Sequence, residues 1–274
     1  MDLTIDTYKG EYIRKADHHL YIAPREELKD IVAHYTITFP NEDIVIPDNS
    51  VLNLIPDVSG CFVFHFFDKL SITIWGPTTK VVVVNNDLNI ARCRFFVEFL
   101  PGGLYQVLGV SMKDILDQKI EMEELLPSIY DEINEKVNGM NSFDEMVDMM
   151  NQIIYREVQK NTIEDSIINC IKHVYRDKEV IQVPKIVEEL EISQRQLSRY
   201  FNKYIGMGIK KYSQIVRMNH LIQEIIDKDL IDLTYDYEYF DQAHLNHVFK
   251  NICETTPNNY IENMSDFYNE LYKF

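Results

Sequence analysis

Val183-Pro-Lys-Ile-Val-Glu-Glu-Leu-Glu-Ile-Ser-Gln-Arg-Gln-Leu-Ser-Arg-Tyr-Phe-Asn-Lys-Tyr-Ile-Gly206 decides how the carboxy-terminal part of this 274-residue chain is read. Its apolar residues place a short helix over Ile186 to Leu190, followed by a tight turn. Ser193 stands where it can N-cap a second helix, which carries Leu197, Tyr200, Phe201 and Tyr204 on one side. The pair reads as a helix-turn-helix. The opposite side of the second helix presents Arg195, Ser198, Arg199 and Lys203. From Ile192 to Arg217 there are six basic residues and no Asp or Glu, in a chain of net charge −17. Contact with phosphate is the simplest reason for that local reversal.

The arrangement repeats downstream. Leu233 to Asp241 reads as a short helix and turn, and Gln242 to Asn251 as another recognition-type helix, closed by Thr255 to Tyr260. Between the units, Ile209 to Ile226 carries apolar residues at 209, 212, 216, 222 and 226, the spacing of one long connecting helix. Two such units in one module, with "SQRQLSRYF", "DQAHL" and "TTPNNY" in order, resemble the DNA-binding module of the AraC/XylS family of bacterial transcription regulators. The resemblance spans residues 165–262.

That resemblance implies double-stranded promoter DNA as partner, with both recognition helices in successive major-groove segments. It assigns DNA contacts to Ser193, Arg195, Ser198, Arg199 and Lys203 in the first unit. In the second they fall to Gln242, His244, Asn246 and His247. Arg can pair with both acceptors of a guanine edge, Gln and Asn suit adenine, and Lys suits a phosphate. The second unit departs from the family pattern. Glu238 and Glu254 stand where Gly is usual, and His247 where Arg is usual. Seven acids face one base, Lys228, between Glu224 and Asp241, so this unit is expected to add less affinity. A protein such as RNA polymerase is its alternative partner, and protonation of His244 and His247 an alternative route to DNA.

The length suggests about two domains, of α+β class overall: a β-rich barrel or sandwich followed by an all-α double helix-turn-helix. Residues 166–274 hold 13 Lys/Arg against 16 Asp/Glu, which leaves 14 against 28 for residues 1–165. The acidic amino-terminal part is unsuited to DNA and better suited to sensing or association. No apolar run crosses a bilayer and no signal peptide opens the chain, so a cytoplasmic protein with no membrane partner is expected. Cys61, Cys93, Cys170 and Cys253 lack metal or disulfide spacing and read as reduced packing residues.

Strands are expected over Glu11–Ala16, His34–Phe39, Asp43–Ile46, Val51–Ile55, Cys61–Phe67, Ser71–Trp75, Lys80–Val84 and Arg92–Leu100, with a short helix at Glu27–Ala33. Arg94 to Leu126, "RFFVEFLPGGLYQVLGVSMKDILDQKIEMEELL", resembles the sensor-like domain ahead of the helix-turn-helix module in one AraC-like subgroup. That resemblance implies a ligand-binding or oligomerising domain. His65, Trp75 and Arg94 are the candidate effector contacts, among aromatics at 62, 64 and 66 and a further arginine at 92. Filling of the interior by those aromatics is the competing reading.

An enzyme is not expected. Gly102-Gly103 lacks a phosphate-loop signature and reads as a tight turn. His18, His19, His34 and His65 with Asp48 or Glu98 lack metal-ligand spacing, so neither metal nor cofactor is assigned. Helices are expected over Ser111–Lys119, Met122–Val137 and Ser142–Lys160, the last opening with Ser142 and Glu145 as a capping box. The resulting division is a sensor-like domain over 1–120, a helical linker with dimerisation helices over 121–164, and the DNA-binding domain over 165–274. The reading is an effector-responsive transcription regulator acting as a homodimer. Its alternative is a protein-interaction regulator that kept the fold with weak or lost DNA binding.

Overall fold

The computed structural model describes residues 3–47, 49–66, 69–89, 92–176 and 178–262. Expectations that fall on Asp48, on Phe67 or on residues 263–274 lie outside the described residues.

Nine strands form two sheets. They are β1 (Arg14–Lys15), β2 (His19–Ile22), β3 (Val32–Thr38), β4 (Val51–Leu54), β5 (Cys61–Phe66), β6 (Leu70–Trp75), β7 (Val82–Asn85), β8 (Arg94–Phe99) and β9 (Lys119–Glu121). Seven of them make an antiparallel sheet in the order β1-β2-β3-β8-β5-β6-β9, and β4 pairs with β7 as a separate ribbon. Period-2 alternation gives the large sheet two different faces. One carries Ile37, Phe64, Ile72, Phe95 and Val97, all buried. The other carries His34, His65, Arg94 and Glu98 and faces the β4–β7 ribbon.

Several expectations are corrected. Residues 43–46 form no strand, and the expected helix at 27–33 is a single 3-10 turn, Glu26–Leu28, that runs into β3. β2 was not expected; its Leu20 and Ile22 are buried by pairing with β3 over Tyr35 to Thr38. The expected helix over 111–119 is a 3-10 turn, Met112–Ile115, and Lys119 then begins β9, which completes the sheet edge beside β6. At β2 and β9 a long-range partner overrode the local pattern.

The helices are α1 (Gly103–Leu108), α2 (Met122–Leu125), α3 (Pro127–Val137), α4 (Phe143–Val158), α5 (Asp165–Arg176), α6 (Val183–Glu189), α7 (Gln194–Tyr204), α8 (Ile209–Glu224), α9 (Leu230–Asp236), α10 (Gln242–Cys253) and α11 (Pro257–Glu262). Pro127 divides the helix expected over 122–137, because it cannot donate to the preceding turn. Residues 127–158 do not stand between domains as a linker. The Phe143 ring stacks on Phe95 at 6.2 Å, the Tyr35 hydroxyl donates to Asn151 Oδ1 at 2.9 Å, and the Tyr130 hydroxyl donates to the Leu70 carbonyl at 2.9 Å. The apolar stripe of α4 is therefore covered by its own sheet, and not by a second subunit.

One hydrophobic core runs from the sheet through α4 and α5 into α7 and the first half of α8. A second, smaller core unites the end of α8 with α9, α10 and α11. Each helix-turn-helix unit thus belongs to a different core.

Candidate nucleic-acid interface and cavity

The first unit is built by its caps. Ser193 Oγ accepts from the Gln196 amide at 3.2 Å while Gln196 Oε1 accepts from the Ser193 amide at 2.9 Å, a reciprocal capping box at the start of α7. Leu197, Phe201 and Tyr204 are buried, which turns Arg195, Ser198 and Arg199 to solvent. Neither arginine is paired with a carboxylate among the described residues, so both guanidinium groups are open to an anion or a base edge. The hydroxyl of Ser193 is engaged in the cap and organises the helix start.

Two of the expected basic contacts point elsewhere. Lys203 Nζ lies over the rings of Tyr105 and Tyr204, at 5.3 and 5.1 Å, and a hydrogen bond to Tyr105 raises its pKa. It sits, exposed, at the junction with the β-rich domain. Arg217 is buried; its Nε donates to the Lys178 carbonyl at 3.0 Å and its Nη2 to the Tyr237 carbonyl. It clamps the second unit onto α8 from inside. Lys210 is exposed and Lys211 half-buried at the start of α8, so the basic face left for DNA is narrower than the sequence run.

In the second unit Asp241 Oδ1 accepts from the His244 amide at 2.7 Å and starts α10. Leu245 and Phe249 are buried, and Gln242, His244, Asn246 and His247 are all exposed on the opposite side. His247 Nε2 meets Asn251 Nδ2 at 3.0 Å and His244 Nδ1 accepts from the Phe240 amide at 3.3 Å. Acids crowd the flank of α9. Burial opposes ionisation of Glu224, but hydrogen bonds from Lys178 and Lys228 outweigh it and hold the carboxyl at about 2. The flank also exposes Ile231, Tyr235 and Phe240, the last 90% exposed.

Between the large sheet and the β4–β7 ribbon lies a cavity of about 390 Å³. His65, Trp75 and Arg94 all line it. Trp75 is the only tryptophan of the chain, and Lys119 Nζ covers its ring at 3.6 Å. Arg94 Nη2 donates to Asp87, and burial, then the charge of Arg94, lowers the pKa of His65. The apolar lining includes Leu52, Leu54, Val63 and Val84. Phe62, Phe64 and Phe66 are absent from the lining: they are buried in the main core on the opposite face, and Arg92 is exposed outside β8. The polar lining also includes His19, His34, Thr36, Thr38 and Glu98, which the effector set read from the sequence left out. The alternation Arg94, Phe96, Glu98 along β8 was the available signal.

Among the described residues no group of three or more His, Cys, Asp or Glu is arranged to hold a metal, and no helix is long and apolar enough to cross a membrane. All four cysteines are buried and none is in a disulfide among the described residues, and burial raises Cys170 to about 11.

Residues 186–263 match a family described as a helix-turn-helix domain, and residues 20–121 match a domain family of unknown function, DUF6597. No curated protein sequence matches the chain. Solved structures similar to it include an apo lysine-to-alanine variant of ToxT from Vibrio cholerae, with TM-score 0.45 and 10% identity, covering 84% of this chain and 98% of that one. Wild-type ToxT from Vibrio cholerae bound to an unsaturated fatty acid has TM-score 0.41 and 10% identity, covering 79% and 97%. ToxT from the same organism bound to a methylnaphthalenyl-butenoic acid has TM-score 0.40 and 12% identity, covering 79% and 96%.

Proposed function

We propose that residues 186–263, which match a helix-turn-helix family, form a DNA-binding module of the AraC type, and that the chain is a cytoplasmic transcription regulator that binds promoter DNA chiefly through α7 and answers to a small effector held in the cavity. The observation that carries the DNA reading is the exposed Arg195, Ser198 and Arg199 face of a helix whose start is locked by a reciprocal cap. A rigid helix presenting unpaired guanidinium groups suits guanine edges and phosphates in a major groove. Fluorescence anisotropy against DNA from the region upstream of its own coding sequence, with a scrambled control and a salt series, tests it. Sequence preference with a steep salt slope is expected. Equal affinity for both probes at every salt concentration overturns direct readout there.

The effector reading rests on the cavity, whose apolar walls and few polar groups suit an amphipathic small molecule. Its test is the emission of Trp75 during titration with a panel of small apolar acids, alcohols and amines. A saturable shift is expected for at least one class, and none across the panel sinks the reading.

A protein-interaction role is favoured by one observation, the acidic and aromatic flank of the second unit. It suits a basic protein surface such as one on RNA polymerase better than DNA. Unchanged promoter binding by Arg195→Ala with Arg199→Ala would favour this role. A homodimer also belongs to the reading; its support is the resemblance, since the α4 stripe is used within its own domain. Sedimentation of the purified chain measures it.

A further inference from the structure

Ile55 belongs to two places at once. It lines the cavity, and it is also a buried member of the second core, beside Met218, Leu221 and Ile222 of α8 and the side chains of α9 and α10. With the half-buried Leu54 it is the sensor domain's whole contribution to that core among the described residues. Next to it, the Pro56 carbonyl accepts from Asn219 Nδ2 of α8 at 3.1 Å in a buried bond. The turn that carries both residues directly follows β4, one of the two ribbon strands that roof the cavity.

That turn is stiff. Asp57 and Thr78 exchange hydrogen bonds, amide to Oγ1 at 2.8 Å and amide to carbonyl at 2.7 Å. The Asp57 carboxylate also accepts from the amides of Ser59 and Gly60, each at 3.0 Å. A displacement of the roof therefore reaches Ile55 without being absorbed by the turn. The first unit meets the sensor domain differently. Leu197, Phe201, Tyr204 and Ile205 lie in the main core itself, and the Tyr105 and Tyr204 rings meet edge to face at 4.7 Å. It moves with the large sheet as one body, because a close-packed core transmits shifts without deforming.

We infer that the Leu54–Asp57 turn is the regulatory link of this protein: occupancy of the cavity moves the ribbon, and the ribbon moves the second helix-turn-helix unit relative to the first through Ile55 and the Asn219–Pro56 bond. The inference rests on the reading of the cavity as an effector site and adds which unit responds and through which residues. A ligand can shift the second unit only by binding its two positions unequally, and a wall shared with that unit's core supplies the difference.

Hydrogen–deuterium exchange on the full chain tests the link without a known ligand. Ile55→Ser should speed exchange in 230–253 by about tenfold and leave 194–204 within about twofold, as expected when one buried anchor of a local unit is lost. Asn219→Ala should act in the same direction more weakly, and serves if Ile55→Ser fails to fold. Val84→Phe places a ring on the roof inside the cavity, and a shift in Trp75 emission verifies the filling. It should change exchange in 230–253 by about threefold or more and spare 194–204. A Trp75 shift with unchanged exchange in 230–253, or equal changes in both segments, overturns the inference. Failure of the effector reading looks different: no panel compound shifts Trp75 in the wild type, while the Val84→Phe coupling persists and still supports the link.

Discussion

The two helix-turn-helix units share one local design and differ in their surroundings. In both, the first helix ends in a left-handed glutamate, Glu191 at φ 53° and Glu238 at φ 52°. In both, the next amide bonds back to the last turn, Ile192 to Val187 at 3.1 Å and Tyr239 to Thr234 at 2.9 Å. This is the same helix stop, normally made with glycine, made twice with glutamate. The recognition helices then part. α7 ends at Gly206, φ 89°, where an added Cβ would stand 2.8 Å from the Met112 carbonyl of the amino-terminal domain. α10 ends at Glu254, φ 57°, with its side chain exposed. Glycine stands where another domain presses on the helix end, and a charged residue where solvent does. The first unit is basic and fused to the core of the β-rich domain; the second is acidic and joined to that domain at Leu54 and Ile55.

The strongest test of that contrast is a pair of core truncations. Phe201→Ala and Phe249→Ala each remove a fully buried ring and should each cost about 3–5 kcal/mol locally. Only Phe201→Ala should lower the denaturant midpoint reported by Trp75 fluorescence, because only its core contains the sheet. Equal shifts of that midpoint would break the two-core description.

The next effect concerns DNA. Arg195→Ala with Arg199→Ala should weaken promoter binding on the order of a hundredfold, at about 1–3 kcal/mol per arginine. Gln242→Ala with Asn246→Ala should weaken it by about tenfold or less, since seven acids stand against one base between Glu224 and Asp241 in the same unit. Anisotropy titration at one salt concentration compares them, and a larger loss from the second pair would invert the ranking of the units.

Acid should act on the second unit through Glu224. Its folded pKa, about 2, lies below its ordinary 4.5. Its contribution is therefore complete above pH 4.5 and is lost as pH falls from there towards 2. Glu224→Gln should lower the Tm at pH 7 by an amount equivalent to about 1 kcal/mol or less, and the gap to wild type should close as pH falls below 4.5. A gap that stays constant with pH would detach the Lys178 and Lys228 contacts from the stability of this unit.

The smallest effect probes the shared design. Glu191→Gly and Glu238→Gly should each raise stability by about 0.5 kcal/mol, through relief of left-handed strain partly offset by a more flexible unfolded chain. The gain at 238 should be the smaller, because Glu238 Oε2 accepts from the Val180 amide at 3.3 Å. Opposite signs at the two positions in thermal denaturation would show that the two stops are not equivalent.

What the sequence determined by itself is local. The two helix-turn-helix units, the cap at Ser193 and the long helix between them depend on residues within four or five positions of one another, so spacing alone exposes them. Family departures at Glu238 and Glu254 were also legible, and both are left-handed in the structure. The tertiary structure alone decided what each face meets. It buried Arg217 beneath the second unit, set Lys203 beside the Tyr105 and Tyr204 rings, sent Phe62 and Phe64 to one side of the sheet and His65 and Arg94 to the other, and set Ile55 in two environments. Strand alternation says that neighbours face opposite ways but not which way is inward. That choice comes from pairings such as β3 with β8 and β6 with β9, between residues tens of positions apart, and no local pattern of side chains encodes them.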